Sequence, residues 1–186
     1  MKKFSMFQQA LRASKSVATE DLGQVSYVSR RIFDERETFQ FRTHPPCLEY
    51  LSLLIETALL LRTDRTSRVY VGFEKLSRMQ DVADRYLRIA DLSERVYVFG
   101  EPDWKPPRHP NMKLIAFEED YRLAREWFVI TASKTSNVAL VAFDEDGFTK
   151  PVLEERNFRA FKSSNPDVVS ELVEAAEKII DSSLAS

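Results

Sequence analysis

Two nearly identical apolar hexapeptides, RVYVGF at 68–73 and RVYVFG at 95–100, stand either side of one helix-sized interval. Both are rich in β-branched and aromatic residues and have strand length. Between them Leu76, Met79, Val82, Ala83, Tyr86 and Ile89 recur at helical spacing, so 76–89 is predicted as an amphipathic helix. On its other face Glu74–Arg78, Asp81–Arg85 and Asp84–Arg88 stand four apart with the acid first, the favourable order for exposed pairs. Strand, amphipathic helix and a second near-continuous apolar strand make a βαβ unit with parallel strands, covered on both faces. Its predicted crossover is right-handed.

The rest of the chain builds a mixed sheet around that unit. Strands or extended segments are predicted at 25–32 (VSYVSRRI), 38–42 (TFQFR), 112–117 (MKLIAF) and 157–163 (NFRAFKS), with an antiparallel hairpin from 126–132 and 137–144. His44-Pro45-Pro46 breaks the chain before a helix at 47–62, with Pro46 in its first turn. Asn165 and Pro166 mark the cap and first position of a C-terminal helix with a buried stripe of Val169, Leu172, Val173, Ala176 and Ile180. The fold class is therefore α/β: a single domain, a mixed central sheet containing the 68–100 βαβ unit, and helices on its faces. Residues 1–24 form an N-terminal helical or extended segment and 25–186 the domain proper. Phe4, Phe7 and Leu11 share one face of a short first helix, which packs on the domain. A partner-binding arm or a transit peptide is the other reading of that segment.

Composition excludes several function classes. A formal charge of −2, with acids and bases intermixed, lacks the basic excess of a nucleic-acid binder. The longest apolar stretch, LEYLSLLIETALLL (48–61), is interrupted by Glu49 and Glu56, so no membrane span is expected. A single cysteine allows no intrachain disulfide and suits a reducing cytoplasm. Four glycines cannot supply a G-x-G-x-x-G turn or a P-loop. No metal-ligand cluster, nucleophile elbow or other catalytic constellation stands out, so neither a cofactor nor an enzymatic activity is expected. Cys47, three residues after His44 and in a first helical turn, is the one redox candidate, since a helix N-terminus lowers a thiol pKa. Its alternative is a small buried hydrophobe.

The site expectation is topological. In open α/β sheets ligands bind beyond the carboxyl ends of parallel strands. Those ends carry Gly72, Phe73 and Glu74 in one copy, and Gly100, Glu101, Asp103 and Trp104 in the other. Arg125 and Trp127 open a later strand and border the same place. Phe73 and Trp104 would wall a crevice whose mouth is acidic, which favours a neutral or cationic ligand, or a peptide segment, over a phosphate. The alternative is that both tryptophans are packing residues and the charges are solvated. The 47–62 helix is apolar around most of its circumference, and Leu48, Leu51, Leu59 and Leu61 are candidates for a homodimer or partner interface.

The run RVYVGFEKLSRMQDVADRYLRIADLSERVYVFGEPDW, with LAREWFVI, VALVAFDE, the upstream VSRRIFDERETFQFRTHPPCLEYLSLLIETALLLRT and the closing FRAFKSSNPDVVSELV, resembles the DICT sensory domain. The most specific stretches are GFEKLSRM, RYLRIA, VYVFGEPDW and REWFV, and the resemblance spans about 25–181. The family takes its name from diguanylate cyclases and two-component systems. The resemblance implies a signal-input role and carries over no functional residue. It fills the chain and leaves no output domain, so a stand-alone copy is expected to act through a signalling partner or by self-association. Three readings stay open: a cytoplasmic sensory module that binds a small ligand or a partner, a dimerising scaffold without ligand, and a small enzyme of unrecognised type.

Overall fold

The two hexapeptides lie side by side. In the computed structural model, which describes residues 2–62 and 64–185, β3 (Arg68–Lys75) and β4 (Arg95–Glu101) run parallel. They pair letter for letter: Arg68 with Arg95, Val69 with Val96, Tyr70 with Tyr97, Val71 with Val98. The repetition is thus a consequence of register. Val69, Val71, Val96 and Val98 face one packed layer, while Tyr70 and Tyr97 turn to the other face and stack with centroids 5.4 Å apart. The crossover is helical but not one helix. Leu76–Val82 winds as a 3₁₀ segment and α4 occupies Ala83–Asp91. The tighter turn brings Leu76 and Met79, three apart, onto the same side, and both are buried.

β5 (Met112–Ala116) continues the parallel run beyond β4. On the other flank of β3 the sheet turns antiparallel, through the hairpin β6 (Glu126–Ala132) and β7 (Asn137–Asp144), then β8 (Phe158–Ser163), then β2 (Thr38–Thr43). β1 (Glu20–Gln24) closes that edge parallel to β2, giving the order β1-β2-β8-β7-β6-β3-β4-β5.

Helices cover both faces. α1 (Met6–Ala13) and α5 (Pro166–Ala185) lie on one, with Met6, Phe7, Leu172 and Ala176 against Tyr70, Phe128 and Phe161. Asn165 caps α5, its Oδ1 accepting from Asp167 N at 3.0 Å and Val168 N at 3.2 Å. α1 is tied down by a carboxylate of the sheet. Glu126 accepts from Met6 N at 2.7 Å and from Ser5 Oγ, so the first backbone donors of the helix are satisfied from 120 residues away. The opposite face carries α2 (Arg30–Glu35), α3 (Pro45–Leu60) and α4.

Two sequence expectations are corrected here. Residues 25–32 form no strand, and their last three open α2: Ser29, itself extended, caps the helix by accepting from Ile32 N, and the pairs Arg30–Asp34 and Arg31–Glu35, at 3.4 and 3.1 Å, run along its exposed side. The apparent alternation there came from a helix start. The broad apolar surface of α3 is also absorbed within the chain. Leu48, Leu51 and Leu59 are in the core, because α3 lies against the sheet and beside α2 and α4 at once. Of the four interface candidates Leu61 stays outside, 79% exposed, joined by Leu53 at 39%.

Candidate functional site

The parallel strands do end beside one another, but the space at their glycines is taken. A Cβ on Gly72 would strike the ring of Phe128. One on Gly100 would come within 2.8 Å of the Leu76 side chain and 3.1 Å of its backbone nitrogen. The glycines admit packing neighbours from within the chain. Phe73 and Trp127 are cross-strand partners, and Trp104 packs on the same layer. Phe73 meets Tyr86 edge-on at 5.6 Å. Trp127 meets Phe158 edge-on at 6.2 Å and donates from Nε1 to Ser52 Oγ at 3.2 Å. Arg125 is not with them. It donates to the carbonyls of Asp144 and Glu145 at 2.6 and 3.0 Å and lies over Phe143, which belongs to the α1/α5 side. Asp103 is exposed and holds Ser77, accepting from its backbone N at 2.9 Å and its hydroxyl at 2.5 Å. Glu101 is half-buried, with Oε2 lacking a hydrogen-bond partner.

Glu74 is the singular residue of this edge. It sits at φ 64°, where the β3–β4 register shifts, and its side chain is buried. Burial pushes its pKa up to about 7, partly opposed by the Arg78 charge, while Asp144 pushes it up and Arg156 pulls it down. Arg78 forms an ion pair with it, and Asp144 and Arg156 form a second buried pair at 3.3 Å. Asp144 also accepts from the backbone N–H groups of Asp146 and Gly147 at 3.1 and 2.7 Å, which folds the loop after β7. The Glu74–Arg78 pair expected on an exposed face is therefore made inside, and Arg85 turns from Asp81 to Glu56 of α3 at 2.6 Å. Tyr86 donates to the other Glu56 oxygen at 2.6 Å. Asp144 and Arg156 escaped sequence reasoning because the chain between them reads as a turn and a loop.

Cys47 is buried among Val28, Phe41 and α3, and desolvation pushes its thiol pKa up. A thiol redox sensor needs the opposite shift, so the core reading replaces it.

Open space lies elsewhere on the same layer. A groove of about 370 Å³ runs between α2, α3 and the β6–β7 turn, lined by Phe33, Leu53, Leu54, Ala58, Leu61 and Val138, with Lys162 of β8 among its walls. Lys162 is 1% exposed. Its Nζ donates to the Arg36 carbonyl at 2.6 Å and to Ser164 Oγ at 3.4 Å, and lies 5.1 and 5.7 Å from the ring centres of Phe33 and Phe39. Among the described residues no carboxylate stands at ion-pair distance from it. Burial pulls its pKa down to about 8, with Asp34 and Glu37 opposing from farther off. The sequence held a signal for it: Lys162 shares period 2 with Phe158 and Ala160, the core-facing positions of β8. A second groove, of about 330 Å³, lies by β1 and β2 and is lined mostly by polar groups, including Asp21, Gln40, Arg42 and Arg159. Among the described residues no cluster of three or more His, Cys, Asp and Glu could hold a metal ion, and no helix is long and apolar enough to cross a membrane.

The family model described as DICT, "Sensory domain in DIguanylate Cyclases and Two-component system", matches residues 38–145. A comparison with curated proteins gave no match. Among solved structures, the polyphosphate kinase of Porphyromonas gingivalis is similar over 81% of this chain at 14% identity and a TM-score of 0.49. The chain spans 25% of that kinase, and a likeness of this size carries no argument about function.

Proposed function

The chain belongs to the DICT family of sensory domains, and from that premise we propose that it is a non-enzymatic signal-input module of the cytoplasm. It receives a small ligand or a partner beside α3 and passes the change on by protein–protein contact. The supporting observation is the position of α3. Its later half walls the open groove through Leu53, Leu54, Thr57, Ala58 and Leu61. Its other contacts reach the closed edge: His44 at its N-cap bonds the Arg156 carbonyl at 3.0 Å, Ser52 accepts from Trp127, and Glu56 holds Arg85 and Tyr86. An occupant that favours one seat of α3 over another shifts the population of seats, and packed layers respond in discrete steps. The acids Glu74 and Asp144 are already engaged with arginines, so the carboxyl edge serves the relay rather than the ligand.

Leu53 and Leu61 favour a second reading, a ligand-free homodimer through the exposed side of α3. Native mass spectrometry of the protein isolated from cells that make it separates the two. A non-covalent small-molecule adduct, with slowed hydrogen exchange along 45–60 when it is present, supports the ligand-receiving module. A dimer without adduct supports the scaffold, and a bare monomer that recruits nothing overturns both.

A further inference from the structure

Lys162 is a fully buried cation with no carboxylate at ion-pair distance among the described residues. An ammonium has three N–H donors. Two are directed to Arg36 O and Ser164 Oγ, neither of them charged. Two aromatic faces add cation–π attraction but no counter-charge. The nearest acid of the groove, Asp34, is engaged by Arg30 on the surface of α2. Arg156, the other deeply buried cation, is matched by Asp144; of the partly covered ones Arg78 and Arg85 are matched by Glu74 and Glu56, while Arg125 rests on carbonyls. A buried charge without a partner costs several kcal/mol in general, and this one borders a cavity within the usual range for small-molecule sites, about 300–1,000 Å³.

We propose that this groove binds a carboxylate-headed apolar small molecule, its carboxylate pairing with Lys162 Nζ and its hydrocarbon lying along Leu53, Leu54, Ala58 and Leu61. The Ser164 hydroxyl, which also lines the groove, donates to the Glu37 carbonyl at 3.5 Å, a long bond that it would exchange for the same head group. One ammonium and one hydroxyl suit a monoanionic carboxylate; a phosphate, with more charge and more acceptors, would leave oxygens unpaired in an apolar wall. This gives the sensory module a ligand class and rests on the reading of α3 as its receiving element.

The test uses the full chain at pH 7 and two probes of equal length, decanoate and decanol, followed by isothermal titration. Decanoate is expected to bind roughly tenfold tighter or more than decanol, the scale of one charge-assisted hydrogen bond. Lys162→Met should bring decanoate to within about twofold of decanol while leaving decanol unchanged. Ala58→Trp, at an exposed position of the wall, should weaken both probes by roughly tenfold or more. Equal binding of the two probes by the parent protein, an undiminished preference in Lys162→Met, indifference to Ala58→Trp, or no binding of either probe each overturns the proposal. If Lys162→Met does not fold, the parent's preference and the Ala58→Trp arm decide it. Failure here leaves the input-module reading intact, since the native mass spectrum can still show a ligand of other chemistry.

Discussion

The carboxyl edge of β3 and the groove beside α3 both bury charge, yet they differ in how the charge is balanced. At the edge the buried acids Glu74 and Asp144 have arginines, Arg78 and Arg156, and Glu126 has the Ser5 hydroxyl and the first N–H groups of α1. In the groove Lys162 meets a carbonyl, a hydroxyl and two rings. The edge has its glycine spaces filled from within, while the groove stays open at about 370 Å³. Both straddle the segment matched by the family model, 38–145: Arg156 of the edge and Phe33 and Lys162 of the groove fall outside it, and Glu74, Asp144 and the α3 wall inside. Topology therefore points to the edge, and unbalanced chemistry points to the groove. A paired network is complete as structure, and an incomplete one has room for a ligand.

The sharpest way to break this contrast is to remove one charge from each place. Asp144→Ala strands Arg156 and the loop N–H groups, and should cost about 3–5 kcal/mol of unfolding free energy in urea titration. Lys162→Met at pH 7 should stay within about 1 kcal/mol of the parent, since it replaces a desolvated cation by an apolar chain of similar length. Equal losses would erase the distinction.

The pH dependence of stability sharpens it, because the two groups have opposite signs. Glu74 has a folded pKa of about 7, above its ordinary 4.5. Its contribution is therefore complete below pH 4.5 and is lost as pH rises through 7, a swing on the order of 3 kcal/mol. Glu74→Gln should flatten the curve in that window. Lys162 has a folded pKa of about 8, below its ordinary 10.5, so its contribution is complete above pH 10.5 and is lost as pH falls through 8. Lys162→Met should flatten that upper window instead. Chemical denaturation across pH 4–11 reads both, and a Glu74→Gln curve parallel to the parent's would refute the assignment. Glu126, also raised to about 7 by burial, slopes the same way as Glu74, so the double variant with Glu126→Gln should be flatter still.

Steric substitutions give a smaller difference. Gly72→Ala pushes on the Phe128 ring and should cost about 1–3 kcal/mol in thermal or urea melts, while Ala58→Trp in the groove should stay within about 0.5 kcal/mol. The smallest effect concerns Cys47. Its thiol should resist a water-soluble disulfide reagent in the folded protein and react on unfolding, and rapid labelling of the native chain would revive redox chemistry at that position.

What could be read from the sequence was what lies in local order. The valines of the two hexapeptides announced adjacent strands because parallel neighbours in register meet the same layers above and below. Asn165-Pro166 announced α5, and the hairpin followed from two apolar runs around a short polar turn. What stayed hidden depends on residues meeting across the fold. Glu74 and Arg78 were visible as a pair, but their burial depends on Asp144 and Arg156, some 70 and more positions later. Arg85 was matched to the wrong acid, since Glu56 reaches it from another helix. The helix of 30–35 was hidden by a chance alternation before its cap. Phe128, which fills the space at Gly72, has no local relation to it at all. Lys162 could have been found from its place on the inward side of β8; the carbonyl, hydroxyl and rings that meet it there could not.

The pairing of β2 with β8 has a kinetic consequence. Thr38 bonds Ser163 across 125 positions and Lys162 bonds Arg36 across 126, so one wall of the groove comes from each end of the chain. Contacts this distant in sequence raise the contact order and require closing a long loop before they give any return, which slows folding. The β3–β4 unit can form from its own neighbourhood, but the floor beside Lys162 exists only after the last strand has threaded between β2 and β7. An occupant of that groove would act as a clasp between early and late segments, and its departure would be felt first as a loosening of the sheet's seam.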